Sequence, residues 1–188
     1  TPGVPQPLAV LLTEEYPEVE GVTLYSWEQQ ALFRLEDKKS YESGRMVSPS
    51  FFEVFSFPFI EGDPSTSLEK LHSVVITERL AEKYFGVDWK GKAIGQLIKI
   101  GDEQEYAVSG VIKNTLPNSS LQFDWLISAE EYVSQNAWVT DWGNGGFRMY
   151  MVLREGADPT AFQQKVVNEV NDHTTYDADE RVFAQLFA

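Results

Sequence analysis

The chain contains no cysteine and only two histidines in 188 residues. Without a thiol there is no disulfide framework, no thiolate nucleophile and no sulfur ligand for a metal, and redox logic leaves the compartment open, periplasm included. The imidazoles, His72 and His173, are far apart in the chain and neither sits in H-E-x-x-H or another ligand spacing, so a histidine zinc site is not supported. Their hydroxyl and acidic neighbours suit a surface turn or a helix end, and a structural role is expected of both. No run approaches the roughly 18 consecutive apolar residues a membrane span needs, and no signal-peptide core follows Thr1. Basic charge is scarce: 15 Lys and Arg stand against 29 Asp and Glu, for a formal net charge of -14. Such a field repels a phosphate backbone, which excludes nucleic acid as a partner, and it disfavours an anionic lipid surface.

Catalytic signatures are also missing. There is no G-x-S-x-G elbow and no S-x-x-K with its companion motifs. Gly143-Asn144-Gly145-Gly146 is glycine-rich but precedes a strand pattern and carries no lysine, so it reads as a flexible loop and not as a phosphate cradle. The acidic groups Asp102-Glu103 with Glu105, and Asp177 with Asp179-Glu180, lack the calcium-loop pattern and read as solvated turns. Asn118-Ser119-Ser120 matches a glycosylation sequon, a tripeptide common by chance. No catalytic, cofactor-binding or metal-ligating residue is therefore assigned, no cofactor is expected, and the chain is not read as an enzyme.

What the chain does have is aromatic density and well-punctuated elements. Between Phe51 and Gly86, Phe51, Phe52 and Phe55 line one helical face, and Phe57 and Phe59 then lead as a short strand into the Gly62-Asp63-Pro64 breaker. Val74-Val75-Ile76 has the β-branched density of a buried strand. It runs into Thr77, a good N-cap residue, and a helix with Leu80, Ala81, Tyr84 and Phe85 inward and Gly86 as its C-terminal cap. Two caps are open to the helix near Phe51: Ser48 with Pro49 at its first position, or Ser50 with Glu53 in a capping box.

On either side, Leu8, Leu11 and Leu12 share a helical face ended by Pro17, and period-two alternation predicts two strands over 19–35 and a third over 41–47. Residues 97–100 and 106–112 read as a hairpin around an acidic loop. A strand through Phe123, Trp125 and Ile127, a helix over 129–135 and a strand over 149–153 follow. Asp158-Pro159 opens a helix expected to reach about Asp172 with Phe162, Val166 and Val170 buried, and 182–187 alternates like an edge strand. The size suits one large domain or two small ones, with roughly 70% of the unfolded surface buried on folding.

The order of these words is more specific than any one of them. FFEVFSFPFIEGDP, SVVITERLAEKYFG, Gly91-Lys92-Ala93-Ile94-Gly95 and YAVSGVI, in this order, resemble the periplasmic core domain of MacB-like and FtsX-like ABC transporter permeases, with the likeness running from about Tyr16 to Asn171. The resemblance implies an α+β fold: a discontinuous porter-like α/β subdomain, 1–70 with 121–188, interrupted by a β-rich sabre-like subdomain at 71–120. It implies a fragment, since such a domain is inserted between the first and second transmembrane helices of its permease, and an extracytoplasmic location in a bacterial inner-membrane protein. The implied partners are those flanking helices, a second permease copy, an ABC ATPase held in another chain or domain, and in the efflux branch a periplasmic adaptor.

Two functional classes follow. In the first, the domain is a stiff, non-catalytic module that passes ATP-driven helix motion to the periplasm. In the second it is a ligand-binding module, with Trp125 and the loop Trp138 to Gly146 forming an apolar pocket for a lipid or peptide.

Overall fold

The structure, a computed structural model, describes residues 3–102, 104–174 and 181–185. Helix α1 (Gln6–Glu15) carries Pro7 in its first turn, where a missing amide proton costs nothing, and buries Leu8 and Leu12 completely. Strands β1 (Val19–Tyr25), β2 (Gln29–Leu35) and β3 (Lys38–Val47) follow, and then the single helical turn α2 (Phe51–Val54). β4 (Phe59–Gly62) precedes β5 (Ser73–Thr77), a strand buried along its whole length, which runs into α3 (Glu78–Phe85). β6 (Leu97–Ile100) and β7 (Gln104–Ile112) form the expected hairpin. β8 (Trp125–Ser128), α4 (Ala129–Gln135), a 3-10 turn (Ala137–Thr140) and β9 (Arg148–Leu153) lead to α5 (Pro159–Val166) and α6 (Glu169–His173).

Strand pairing closes on itself. β2 pairs β3 and β6, β6 pairs β7, β7 pairs β5, β5 pairs β8, and β8 returns to β3. β3 with β8 and β5 with β7 are parallel, and the other four pairs of this ring are antiparallel. Closure leaves these six strands no free edge. Phe33, Val74, Ile76, Ile98, Val108 and Trp125 pack together in one cluster, which Leu80, Ala81 and Tyr84 of α3 extend. The boundaries expected at 70 and 121 fall within this ring, because β2 and β3 precede 71 and β8 follows 120, yet both sides pair with the strands between.

Outside the ring stands a second unit. β1 pairs antiparallel with β9 from Val19↔Leu153 to Tyr25↔Arg148. α1 and α5 pack onto this ribbon, so that Leu8, Leu12, Val19, Val22, Phe162 and Val166 share one core. Asp158 caps α5 by accepting a hydrogen bond from Thr160 N at 2.9 Å. The helix expected to run to Asp172 is in fact two: α5 stops at Val166, and α6 begins at Glu169 after Asn168 takes φ -104, ψ 0. The broken geometry leaves Val167 O to accept from Val182 N at 3.1 Å, drawing Val182 into the core. Residues 181–185 form no strand, and the rest of the predicted terminal strand lies outside the described residues.

Candidate functional site

Within the sheet, both units meet at one narrow joint. β1 and β3 share a single register pair, Tyr25↔Val47, where every other pair of neighbours in the sheet shares at least two. Serine side chains extend it. Ser26 N donates to Met46 O at 2.9 Å and Ser48 N to Leu24 O at 3.2 Å. Beyond these, Met46 N donates to Ser26 Oγ and Leu24 N to Ser48 Oγ, each at 2.9 Å, so hydroxyls stand where a wider ladder would place carbonyls. Ser50 Oγ donates to Val22 O at 2.6 Å, which ties α2 to β1. Both candidate caps of α2 are therefore used for tertiary contact. Ser50 occupies the N-cap position without a side-chain capping bond, because its hydroxyl finds the carbonyl of β1 instead.

Beneath the joint lies an aromatic cluster. Tyr25 stacks on Phe51 with ring centroids 6.0 Å apart, and Phe51 in turn meets Phe52, Phe55, Phe57 and Phe123. The face predicted from Phe51, Phe52 and Phe55 is thus the packing face. Arg45 lies 4.7 Å over the Tyr25 ring and donates to Ser26 O at 3.0 Å, holding the strand end from the other side. Burial pushes the Tyr25 phenol up to about 12, against the opposing pull of Arg45.

A buried carboxylate fixes the ring side of β3. The Glu42 side chain is only 3% exposed. Lys83 and Ser40 donate to its Oε1, Tyr84 OH donates there at 3.2 Å, and Arg79 reaches Oε2 at 3.4 Å. Arg79 also grips Asp124 through Nε at 3.1 Å and a terminal nitrogen at 2.6 Å. Burial by itself would raise the Glu42 carboxyl, but hydrogen bonds from Lys83 and Ser40 and the charges of Lys83 and Arg79 outweigh it and hold the group below the ordinary carboxylate range. Next along β3, Gly44 leaves room for Trp125: a Cβ there would lie 2.0 Å from the indole ring. The indole N–H donates to Glu42 O at 2.8 Å. Glu42, Gly44, Arg79 and Asp124 thus clamp β3, α3 and β8 together, and neither periodicity nor a motif singles them out.

The sequence matches the family described as the MacB-like periplasmic core domain over residues 1–169. The chain belongs to this family. Solved structures agree on the fold. A domain assigned to a permease protein from Porphyromonas gingivalis superimposes with a TM-score of 0.79 at 23% identity, covering 93% of this chain and 80% of that one. The periplasmic region of MacB from Actinobacillus actinomycetemcomitans gives 0.68 at 10% identity, over 92% and 75% of the two chains. The extracellular domain of the noncanonic ABC-type transporter YknZ from Gram-positive bacteria gives 0.66 at 14%, over 90% and 83%. No curated protein matches the sequence. This MacB-like domain is the extracytoplasmic part of an ABC transporter permease, and no helix among its described residues is long and apolar enough to cross a membrane.

Other residues singled out from the sequence fall in separate places in this MacB-like domain. His72 takes φ +58 at the entry to β5, with Nδ1 3.2 Å from Glu131 Oε1 and its ring edge-on to Tyr106. Tyr106 donates to the same carboxylate, and burial pushes its phenol up to about 12. His173 stacks on Trp142 with centroids 4.3 Å apart, and its Nδ1 lies 2.8 Å from Glu169 O. The pocket expected between Trp125 and the loop Trp138 to Gly146 is not formed. Trp125 is buried in the ring beside Phe33, whereas Trp142 of the loop packs against the core of the other unit, because the parallel β3–β8 pairing draws Trp125 to the opposite side of the joint. Asn118, Ser119 and Ser120 border a shallow recess beside Phe55 and Phe57. Among the described residues no group of three or more His, Asp or Glu side chains is placed to hold a metal ion. Glu103, Asp177, Asp179 and Glu180 lie outside the described residues.

Proposed function

We propose that the domain is a lever that passes ATP-driven motion of its permease's membrane helices to the extracytoplasmic side. The observation that carries this reading is the way α1 is held. Leu8 and Leu12 are wholly buried against β1 and α5, so a displacement of the helix must move the ribbon of β1 and β9 with it. From the ribbon the only sheet connection onward among the described residues is the β1–β3 joint, and beyond it the ring is closed and clamped at Glu42. Motion entering at α1 then leaves as rotation of the ring about the joint, a hinge-type change between two packed bodies.

In this proposal the functional division is the α1–β1–β9–α5 unit and the ring, corresponding to porter-like and sabre-like parts that share one sheet. The segment 71–120 supplies the ring's centre while β2, β3 and β8 complete it. The proposed partners are the permease's own membrane helices, a second copy, an ABC ATPase and, for an efflux role, a periplasmic adaptor.

The test uses the full-length permease with its ATPase in membranes, spin-labelled on the ring of each copy. We expect the distance between labels to change between nucleotide-free and ATP-bound states. Phe162→Ala should cost about 3–5 kcal/mol of domain stability and abolish or broaden that change while ATP hydrolysis persists, with Val166→Ala as a gentler second variant should the first not fold. An unchanged distance shift in a folded, measurably destabilised variant would overturn the lever.

A further inference from the structure

A groove of about 610 Å³ opens directly over the joint, between α1 and α4. Its size falls within the range of clefts that bind compact ligands. Its floor is apolar: Val22 and Leu24 of β1 with Ala9, Val10, Ala129 and Val133. Val10 is 46% exposed although it sits on the helix whose Leu8 and Leu12 are fully buried, so α1 turns a second apolar edge away from the core and into the groove. The rim is of one sign. Glu14, Glu53, Glu69 and Glu130 line it, and none of the described lining residues is Lys or Arg. Ser48 and Ser50, which stitch the joint, line it as well.

We propose that this groove docks a basic amphipathic helix belonging to a partner protein. An apolar floor flanked along its length by two helices is the surface into which a third helix lays an apolar stripe, with anchors at i, i+3, i+4 and i+7. The ten residues of α1 span roughly 15 Å, room for about three turns of such a segment. Four carboxylates on the rim call for Lys or Arg on the flanks of that stripe. The same rim repels an anionic lipid headgroup, and a second copy of this chain, with its own formal charge of -14, is a poor occupant. A helix seated here touches α1, α4 and the joint at once, so docking holds the two units in one relative position. This docking does not depend on the lever: binding tests the groove, and label distances test the lever.

The probe is a fluorescent fourteen-residue peptide of leucine and lysine with leucines at i, i+3, i+4 and i+7, titrated against the domain and followed by anisotropy. Saturable binding is expected. Glu14→Gln/Glu130→Gln and Val10→Arg should each weaken it at least about tenfold. Asp88→Asn/Glu155→Gln removes the same two charges away from the groove and should leave affinity within about twofold. All three variants are first checked for an unchanged melting temperature, and amide exchange at Leu24 and Met46 should slow in the bound state. Three results would each overturn the proposal. They are equal binding of a peptide of the same composition with scrambled leucines, equal weakening by the control variant, and no saturable binding by a folded domain. Self-association of the free domain that Val10→Arg abolishes would also overturn it, by making a second copy the occupant.

Discussion

Glu42 shows how far one residue can depend on its neighbours. The folded protein keeps this carboxyl ionised to lower pH than the unfolded chain does, because its ordinary value of 4.5 is lowered on folding. Its contribution to stability is therefore fully present above about 4.5 and is lost as the pH falls through the depressed folded value. Breaking a fully buried ion pair typically costs about 3–5 kcal/mol, but here the partners Lys83 and Arg79 are 40% and 49% exposed and water can take them back. For Glu42→Gln we expect a smaller loss at neutral pH, about 1–3 kcal/mol, together with a shallower fall of stability in acid. Urea unfolding midpoints across pH measure both. A variant with the wild-type acid slope would show that other carboxylates carry the linkage.

At the scale of the element, α3 is capped by a residue distant in sequence. Thr77 stands at the N-cap with extended backbone, as predicted, yet its hydroxyl makes no capping bond and is buried without a hydrogen-bond partner. Asn114, on the far side of β7, accepts from Arg79 N at 2.9 Å and supplies the missing cap. Gly86 ends the helix with φ +87, a region that favours glycine, and its amide donates to Glu82 O. Thr77→Val, which removes only an unsatisfied hydroxyl, is expected to leave the melting temperature unchanged or slightly raised. Asn114→Ala is expected to lose about 1 kcal/mol. If Thr77→Val proves the more damaging of the two, the cap has been assigned to the wrong side chain.

For the whole molecule, the closed ring and the α1–β1–β9–α5 unit each hold a core of their own and are joined by few main-chain bonds and by the aromatic cluster around Tyr25 and Phe51, so they are expected to open as separate cooperative units. In native-state hydrogen exchange, amides of β5 and β7 should require the full unfolding free energy, while those of β1 and β9 should exchange through an opening of lower cost. Ser26→Ala/Ser48→Ala strips the acceptors from Met46 N and Leu24 N. Each lost bond is worth about 1 kcal/mol, and the difference between the two units should widen by about that much or more. One common opening free energy in both would remove the structural basis for a hinge at the joint.

The elements whose identity the sequence determined are those governed by contacts a few residues long. Val74-Val75-Ile76 is buried because three β-branched residues in a row cannot expose both faces of a strand cheaply, and α4 begins at Ala129 because Ser128 caps it by accepting from Glu130 N. The family, too, was legible, since it rests on the order of local patterns along the chain. Tertiary structure alone decided which elements meet. The ring depends on parallel pairings, β3 with β8 and β5 with β7, whose partners are joined by long crossovers and leave no periodic signature. The same pairings put Trp125 over Gly44 rather than beside the Trp138 loop, turned Ser48 and Ser50 from caps into stitches, and left the acidic groove above them. A hydroxyl or carboxylate bonds to whatever donor or acceptor packing brings within about 3 Å, and that distance is set by the fold and not by spacing along the chain.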